Sequence, residues 1–329
     1  MGAIASQSAP VVVIGDIVAD IVIKPDGPVR PASDTDSHIR LGLGGAGANM
    51  AVNLARLGVP TVLMGRIGGD ALGRVALEAL RREPNLTAAV EPLPGVPTGA
   101  IAILVDHRGQ RTMFPQRGAN LYLDADYVLR HWPGPVRGLF VSGYTLFAET
   151  TRAAARAAME RARAAGAPIA VDPASYANIL DAGARRFLEW CRGATIILPN
   201  RHEAAVLAAA ARDESGRPGD ARDEGRRTGD APAAAEPRDE LDLEAALARL
   251  GRLFPVVVIK LDKDGAAARS GAETARARAL DVPVVDTTGA GDAFNAGFFA
   301  AYLAGRPLAE ALAAGNARAA KVVQHVGAT

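Results

Sequence analysis

The chain has 329 residues, 49% of them hydrophobic, and a formal net charge of +1. That suffices for one large α/β domain or two ordinary ones, and the near-neutral balance supplies no field to draw in nucleic acid or an acidic membrane. The single cysteine, Cys191, excludes an internal disulfide and fits a reducing, cytoplasmic setting, and no apolar run approaches the ~20 residues that a membrane span needs. Met1-Gly2-Ala3-Ile4-Ala5-Ser6 matches the short myristoylation pattern letter for letter. A leader ahead of the first strand is the plainer reading, and no basic segment with a long apolar core marks a signal peptide.

Residues 10–23 (P-V-V-V-I-G-D-I-V-A-D-I-V-I) open with the continuous apolar run of a buried parallel strand. Asp16 and Asp20 interrupt it. An acidic group at the end of a central strand lies where ligands bind in open α/β sheets; a solvent-facing edge position is the other reading of Asp20. A Pro- and Asp-rich excursion over 24–37 precedes a short strand at 38–43. Residues 42–47, G-L-G-G-A-G, satisfy the dinucleotide-binding pattern G-x-G-x-x-G, with Asp70 further on as a ribose partner, so a dehydrogenase binding NAD is one reading. That motif belongs in the first βα turn, whereas here it follows the second extended segment. Asn49 reads locally as a helix cap. Thr61–Ile67 is a second buried strand, and Gly68-Gly69-Asp70 leads into a helix over about 72–82. Residues 98–105 and 110–115, joined by Asp106-His107-Arg108-Gly109, read as a hairpin, and Arg117 as a surface arginine at a turn.

From Val136 the strand–helix alternation is regular: strands at 138–141, 169–171 and 195–198, helices at 151–165 and 185–192. Repeated β–α units imply a parallel sheet with helices on both faces and a site along the strand C-termini. Asn200-Arg201-His202-Glu203 follows the third of these strands. Its spacing reads first as a helix cap with an acidic third residue, while its amide and carboxylate also suit the water shell of a divalent metal. Residues 211–240 differ in kind: R-D-E-S-G-R-P-G-D-A is nearly repeated as R-D-E-G-R-R-T-G-D-A, and no Val, Ile, Leu, Met or aromatic residue falls between Leu207 and Leu241. Such a segment cannot bury a core and is expected to be a disordered insert. A helix over 241–253 and a strand over 256–259 lead to Lys260-Leu261-Asp262-Lys263-Asp264-Gly265.

Residues 286–299, D-T-T-G-A-G-D-A-F-N-A-G-F-F, run a small-residue loop straight into an apolar helix. The first turn of a helix offers unpartnered N–H groups and partial positive charge, so a phosphate can rest on the amides of 289–292. Asp292 would repel that phosphate unless it takes the proton of a hydroxyl attacking it; a plain helix cap is the alternative.

The whole 286–299 string resembles the second signature of the PfkB (ribokinase-like) family of ATP-dependent sugar and nucleoside kinases, and G-G-A-G-A-N-M-A-V-N-L-A-R-L-G (44–58) resembles its first. The resemblance implies a ribokinase-like α/β three-layer sandwich over 1–329, with a mostly parallel central sheet, helices on both faces and a small β lid from about 17–43 and 97–117. It implies ATP and Mg²⁺ as cofactors and a small sugar as substrate. Asp292 becomes the catalytic base, and Gly289, Ala290 and Gly291 the anion hole. Asp20, Gly44, Gly45, Asn49 and Arg117 become sugar contacts. Asn200, Glu203, Lys260, Gly265 and Asn316 become the ATP site, with Asn200 and Glu203 near the metal. Asp286 and Thr288 become ligands of a monovalent cation such as K⁺. The family usually has Gly where Asp262 stands. Polar ribose contacts seen in ribokinases are replaced here by Val18 and by Tyr144, so a nucleoside or a ketodeoxy sugar acid stays open as substrate, as does a non-catalytic sugar-binding regulator. Lids in this family often pair into dimers.

Overall fold

The computed structural model describes residues 8–106, 110–211, 241–325 and 327. The leader, the 107–109 turn and residues 212–240 of the insert, about which expectations were set out above, lie outside them.

The apolar run at 10–23 does not form one strand. β1 (Val11–Ile14) stops at Gly15, and β2 (Val18–Pro25) enters a different sheet. The break is enforced by crowding: a Cβ on Gly15 would lie 2.6 Å from the Cα of Gly47. It is pinned by Asn120, whose side chain accepts from the Ile17 N–H (2.8 Å) and donates to the Ile17 carbonyl (2.8 Å). Asp20, expected at the end of a central strand, therefore stands on the small sheet, and Asp16 is the acidic residue that follows the central strand.

The chain continues through β3 (Ser37–Gly44), α1 (Ala46–Arg56), β4 (Thr61–Gly68), α2 (Ala71–Arg81), β5 (Leu86–Leu93), β6 (Gly99–Val105), β7 (Arg111–Gln116), α3 (Ala125–Arg130) and β8 (Gly138–Ser142). Then come α4 (Glu149–Ala164), β9 (Ile169–Asp172), α5 (Tyr176–Ala182), α6 (Ala184–Trp190), β10 (Ile196–Ile197), α7 (Arg201–Ala210) and α8 (Leu243–Leu250). β11 (Val256–Lys260), β12 (Ala266–Ser270), β13 (Glu273–Ala277), α9 (Ala290–Leu303) and α10 (Leu308–Val322) complete it. The large sheet has the order β13-β12-β11-β10-β9-β8-β1-β4-β5, parallel from β11 to β5, with β12 and β13 added antiparallel.

Alternate side chains of its central strands feed two cores, which is why those strands read as unbroken apolar runs. Val12, Ile14, Leu139 and Val141 face α3 to α8; Val11, Val13 and Phe140 face α1, α2, α9 and α10. Asp70 starts α2 as its cap, accepting from the Gly73 N–H at 2.8 Å, and also takes the Thr98 N–H at 2.8 Å, which ties α2 to the entry of β6. The fold is the α/β three-layer sandwich that the resemblance implied.

The small sheet, β3-β2-β6-β7, is built from the stretches assigned above to a lid. Its register puts Asp20, Ile103 and Arg111 on one face and Ile21, Ile39, Leu41 and Phe114 on the other. Cys191 is buried in the first core, and burial pushes its thiol up. Among the described residues no helix is long and apolar enough to cross a membrane.

Replacing Asn120 with Ala should leave the buried Ile17 N–H and carbonyl unpaired and cost about 2–4 kcal/mol of stability, read by urea denaturation. A loss below about 0.5 kcal/mol would show that the clamp does not hold the junction.

Candidate active site

The C-terminal ends of the parallel strands converge on one edge. β9 delivers Asp172, β11 delivers Lys260, and Asn200 follows β10 in a bridge to Lys260. The N-terminus of α9 arrives above them. Gly289, its cap, holds φ at 72°, a left-handed value that glycine adopts without strain. A Cβ on Gly291 would sit 3.8 Å from the Lys260 ammonium, so the loop lies directly over that charge. Of the four amides expected to meet a phosphate, that of Ala290 is engaged by the Thr287 carbonyl at 3.2 Å.

Asp292 lies in the first turn of α9, half-buried. Asn49 donates its side-chain N–H to the Asp292 carboxylate at 2.9 Å. Asn49 does not cap α1; Gly45 does, and Asn49 is buried one turn further in. Its Oδ1 is buried without a protein partner. Burial pushes the Asp292 carboxyl up to about 7; the Asn49 bond opposes the rise, Asp172 adds to it, Lys260 opposes it and Asp20 adds to it.

Lys260 pairs with Asp172 at 2.6 Å and reaches Asn295 Oδ1 at 3.3 Å, while Asn295 donates to Asp172. Burial works against the ammonium, but Asp172 and then Glu203 hold its pKa above the ordinary lysine value. Asn200 and Glu203 form a reciprocal cap on α7: Asn200 Oδ1 accepts from the Glu203 N–H (2.9 Å), and the Glu203 carboxylate accepts from the Asn200 N–H (2.8 Å) and side-chain N–H (2.9 Å). The structural reading of N-x-x-E thus holds. It leaves a tension, because Glu203 is 1% exposed and burial, with Asp172 beside it, lifts its carboxyl to about 7. Three carboxylates, Asp172, Glu203 and Asp292, share one ammonium.

That surplus of negative charge fits a divalent cation held mainly through water and substrate phosphates. Among the described residues no cluster of His, Cys, Asp or Glu forms a complete protein cage for a metal.

Asp20 is 8% exposed, and burial, then the charge of Asp286, raises its carboxyl to about 6. Gly44 makes its place: a Cβ there would fall 2.2 Å from an Asp20 oxygen. Gly45, at φ 96°, lets α1 start against the Asp16 carbonyl. These glycines serve close backbone approach beside the small sheet, and the strand before them is not in the large sheet, so the dinucleotide-motif reading of 42–47 fails. Arg117 forks onto Asp16 through two bonds of 2.9 and 2.7 Å.

Other expected residues have structural engagements. Asn316 donates to the carbonyls of Ala277 (3.0 Å) and Arg278 (2.9 Å), tying α10 to the end of β13. Gly265 turns at φ 90° against the Ala277 carbonyl. Asp262 itself is left-handed at φ 55°, which accounts for a glycine being usual at its position. Asp286 and Thr288 do not face open space: Arg111, from β7, donates to the Asp286 carboxylate and to the Thr288 hydroxyl.

Asp172, Asn295 and Arg111 lie at the site or its margin and were not singled out from sequence, whereas Tyr144 was noted there only as replacing a polar contact. Asn295 stands three residues after Asp292, on the same helix face, inside a motif already in view. Asp172 had only its place at a strand end. Tyr144, whose hydroxyl burial, followed by the charges of Asp172 and Asp292, pushes up to about 12, follows β8.

Lys260, the start of α9 and the half-buried Asp292 meet at one sheet edge, an arrangement suited to phosphoryl transfer. The model of the pfkB family carbohydrate kinases matches residues 8–329, and the chain belongs to that family, whose members are ATP-dependent phosphotransferases. It is 28% identical to the ribokinase of Mus musculus over 98% of this chain and 91% of that one. It is similar to the adenosine kinase structure from Sinorhizobium meliloti, with TM-score 0.80, 25% identity, and coverage of 98% of this chain and 95% of that one. It shares its fold with a putative ribokinase II from E. coli in complex with ATP and Mg²⁺, with TM-score 0.76, 21% identity, and coverage of 97% and 94%.

The raised Asp292 carboxyl has a cost that stability measurements can read. The folded state binds this proton more tightly than the unfolded chain, so the stabilisation it gives is complete at low pH and fades as pH climbs through about 7. Asp292→Asn should therefore be more stable than the parent at pH 8 by about 1–2 kcal/mol or more, with the gap closing only as pH falls to about 4, the carboxyl's ordinary value. Equal stability at pH 8 would contradict the burial argument.

Proposed function

We propose that the protein transfers the γ-phosphoryl group of ATP to a hydroxyl of a small neutral sugar. The observation that supports this most directly is Asp292: half-buried, held by Asn49 at the start of α9, and pushed to about 7, where a carboxylate is a competent base at neutral pH. Asp20, on the small sheet, and the free Oδ1 of Asn49 are placed to receive sugar hydroxyls.

Phosphoryl transfer asks for positioning and charge stabilisation more than covalent chemistry. In this reading Asp292 takes the proton of the attacking hydroxyl. The first turn of α9 and Lys260 face the migrating phosphoryl group with positive potential. Asn200 and Glu203 would hold Mg²⁺ in this reading, and the ion would supply charge to offset that of the phosphates. Asn49 orients the base. The small sheet covers the acceptor and keeps water from competing for the phosphoryl group.

Arg117 bears on the substrate class. Both arms of its fork are taken by Asp16, so it has little to offer the carboxylate of a ketodeoxy sugar acid. A nucleoside is the stronger second reading, supported by the likeness to an adenosine kinase at TM-score 0.80. A regulator that binds sugar without turnover would have no use for a base raised to about 7.

The outer face of the small sheet, with Ile39 62%, Leu41 60% and Phe114 59% exposed, suits pairing with a second copy of the chain. Leu41→Glu should convert a dimer to a monomer in sedimentation velocity; a parent that sediments as a monomer at micromolar concentration would remove the dimer from this reading.

Asp292→Asn should lower kcat at least about a hundredfold while ATP still protects the protein against heating. An ADP-release assay across neutral sugars, sugar acids and nucleosides would identify the acceptor. Near-parental turnover by the variant would overturn the proposed role of Asp292.

A further inference from the structure

We propose that Arg111 is a built-in cation that takes the place of a monovalent metal ion beside the anion loop. This rests on the kinase reading above and adds to it a positioning residue and an independence from K⁺.

The resemblance assigned Asp286 and Thr288 to a monovalent cation. Their oxygens do not fit one here. The Asp286 carboxylate accepts three N–H donors: Thr288 at 2.7 Å, Gly327 at 2.9 Å and the Arg111 guanidinium. The Thr288 hydroxyl accepts from the other arm of the same guanidinium. Burial raises the Asp286 carboxyl, but the Thr288 and Gly327 amides, the Thr288 hydroxyl and Arg111 outweigh it and hold it below the ordinary range. An ion seeking these oxygens would have to displace a fixed, bidentate charge.

The location gives the contact its purpose. Asp286 and Thr288 immediately precede Gly289, the residue that caps α9 and opens the anion loop. Asp286 is 9% exposed, and the charged group it faces across the site is Asp20, which its charge helps to raise. A bare carboxylate there would oppose both a substrate phosphate and the ionised Asp20. Arg111 cancels that charge and fixes the loop through its hydroxyl and carboxylate partners together. Arginine suits the task better than lysine because its planar fork engages two acceptors at once.

Arg111 also opens β7, the edge strand of the small sheet, and shares a face with Asp20. Covering the substrate and completing the anion loop are thus done by one element. The cation comes with the chain and not from solution.

The test compares KCl with tetramethylammonium chloride at equal ionic strength, for the full-length protein and for Arg111→Ala. Parental rates in the two salts should agree within about twofold, since only screening acts on them, and the melting temperature without substrates should show no K⁺-specific rise. Arg111→Ala should lose at least about tenfold in kcat in tetramethylammonium, the scale of a misplaced reacting group. K⁺ should restore part of that loss and should raise the variant's melting temperature. A structural role alone would give no ion-specific rescue. Parental activity or melting temperature that rises with K⁺ would overturn the proposal, as would a folded variant that is slow but indifferent to K⁺, or one that is not slow. If the variant does not fold, the parental melting comparison decides alone. The melting arm needs no acceptor, so a failure of the kinase reading, seen as no turnover of any compound tried, is distinguishable from a failure of this inference.

Discussion

The ion pair between Lys260 and Asp172 is the interaction on which the site is arranged. A buried ammonium persists only with compensating charge and hydrogen bonds close by. Lys260 has them from the end of β9, from Asn295 on α9 and from Glu203 on α7. Each partner comes from a different element, so the pair fixes where the sheet edge, the start of α9 and the start of α7 meet. The group is also deliberately unbalanced. Burial chiefly, with the charge of Asp172 added, raises the carboxyls of Glu203 and Asp292, and the leftover negative charge is what a Mg²⁺–nucleotide complex would neutralise.

The active-site glycines show how one residue type serves several ends. Gly289 supplies a left-handed cap, Gly44 leaves room for a carboxylate, and Gly15 and Gly47 let two backbones touch at the junction of the sheets. A glycine pattern is therefore a weak guide to a ligand unless the strand before it is known. The G-x-G-x-x-G string at 42–47 begins within a strand of the small sheet, and Gly44, Gly45 and Gly47 are used in close packing.

Much of the fold was legible because its signals are local. The continuous apolar strands, the helix starts at Asp70 and Asn200 and the loop at 289–292 each show within a few residues. β12 and β13 escaped notice because they are short strands of Ala, Thr, Ser and charged residues, and β5 because this edge strand carries Pro92 and shows little alternation. The split of 10–23 between two sheets depends on contacts made by Gly47 and Asn120, far along the chain. The same distance hid Asp172 and Arg111. Asp172 acquires meaning from a lysine 88 residues later, and Arg111 from an aspartate 175 residues later. Asn49 stood out within the glycine-rich string, yet its bond to Asp292 spans 243 positions and no local pattern announces it.

Cys191, buried behind Phe187 in the first core with its thiol held protonated, leaves the exterior without a competing sulfur nucleophile. A cysteine introduced on the outer face of the small sheet would consequently take up a maleimide dye alone. The chain is in this respect ready for single-site fluorescence, and any movement of that sheet relative to the large one could be followed in real time without first removing a native residue.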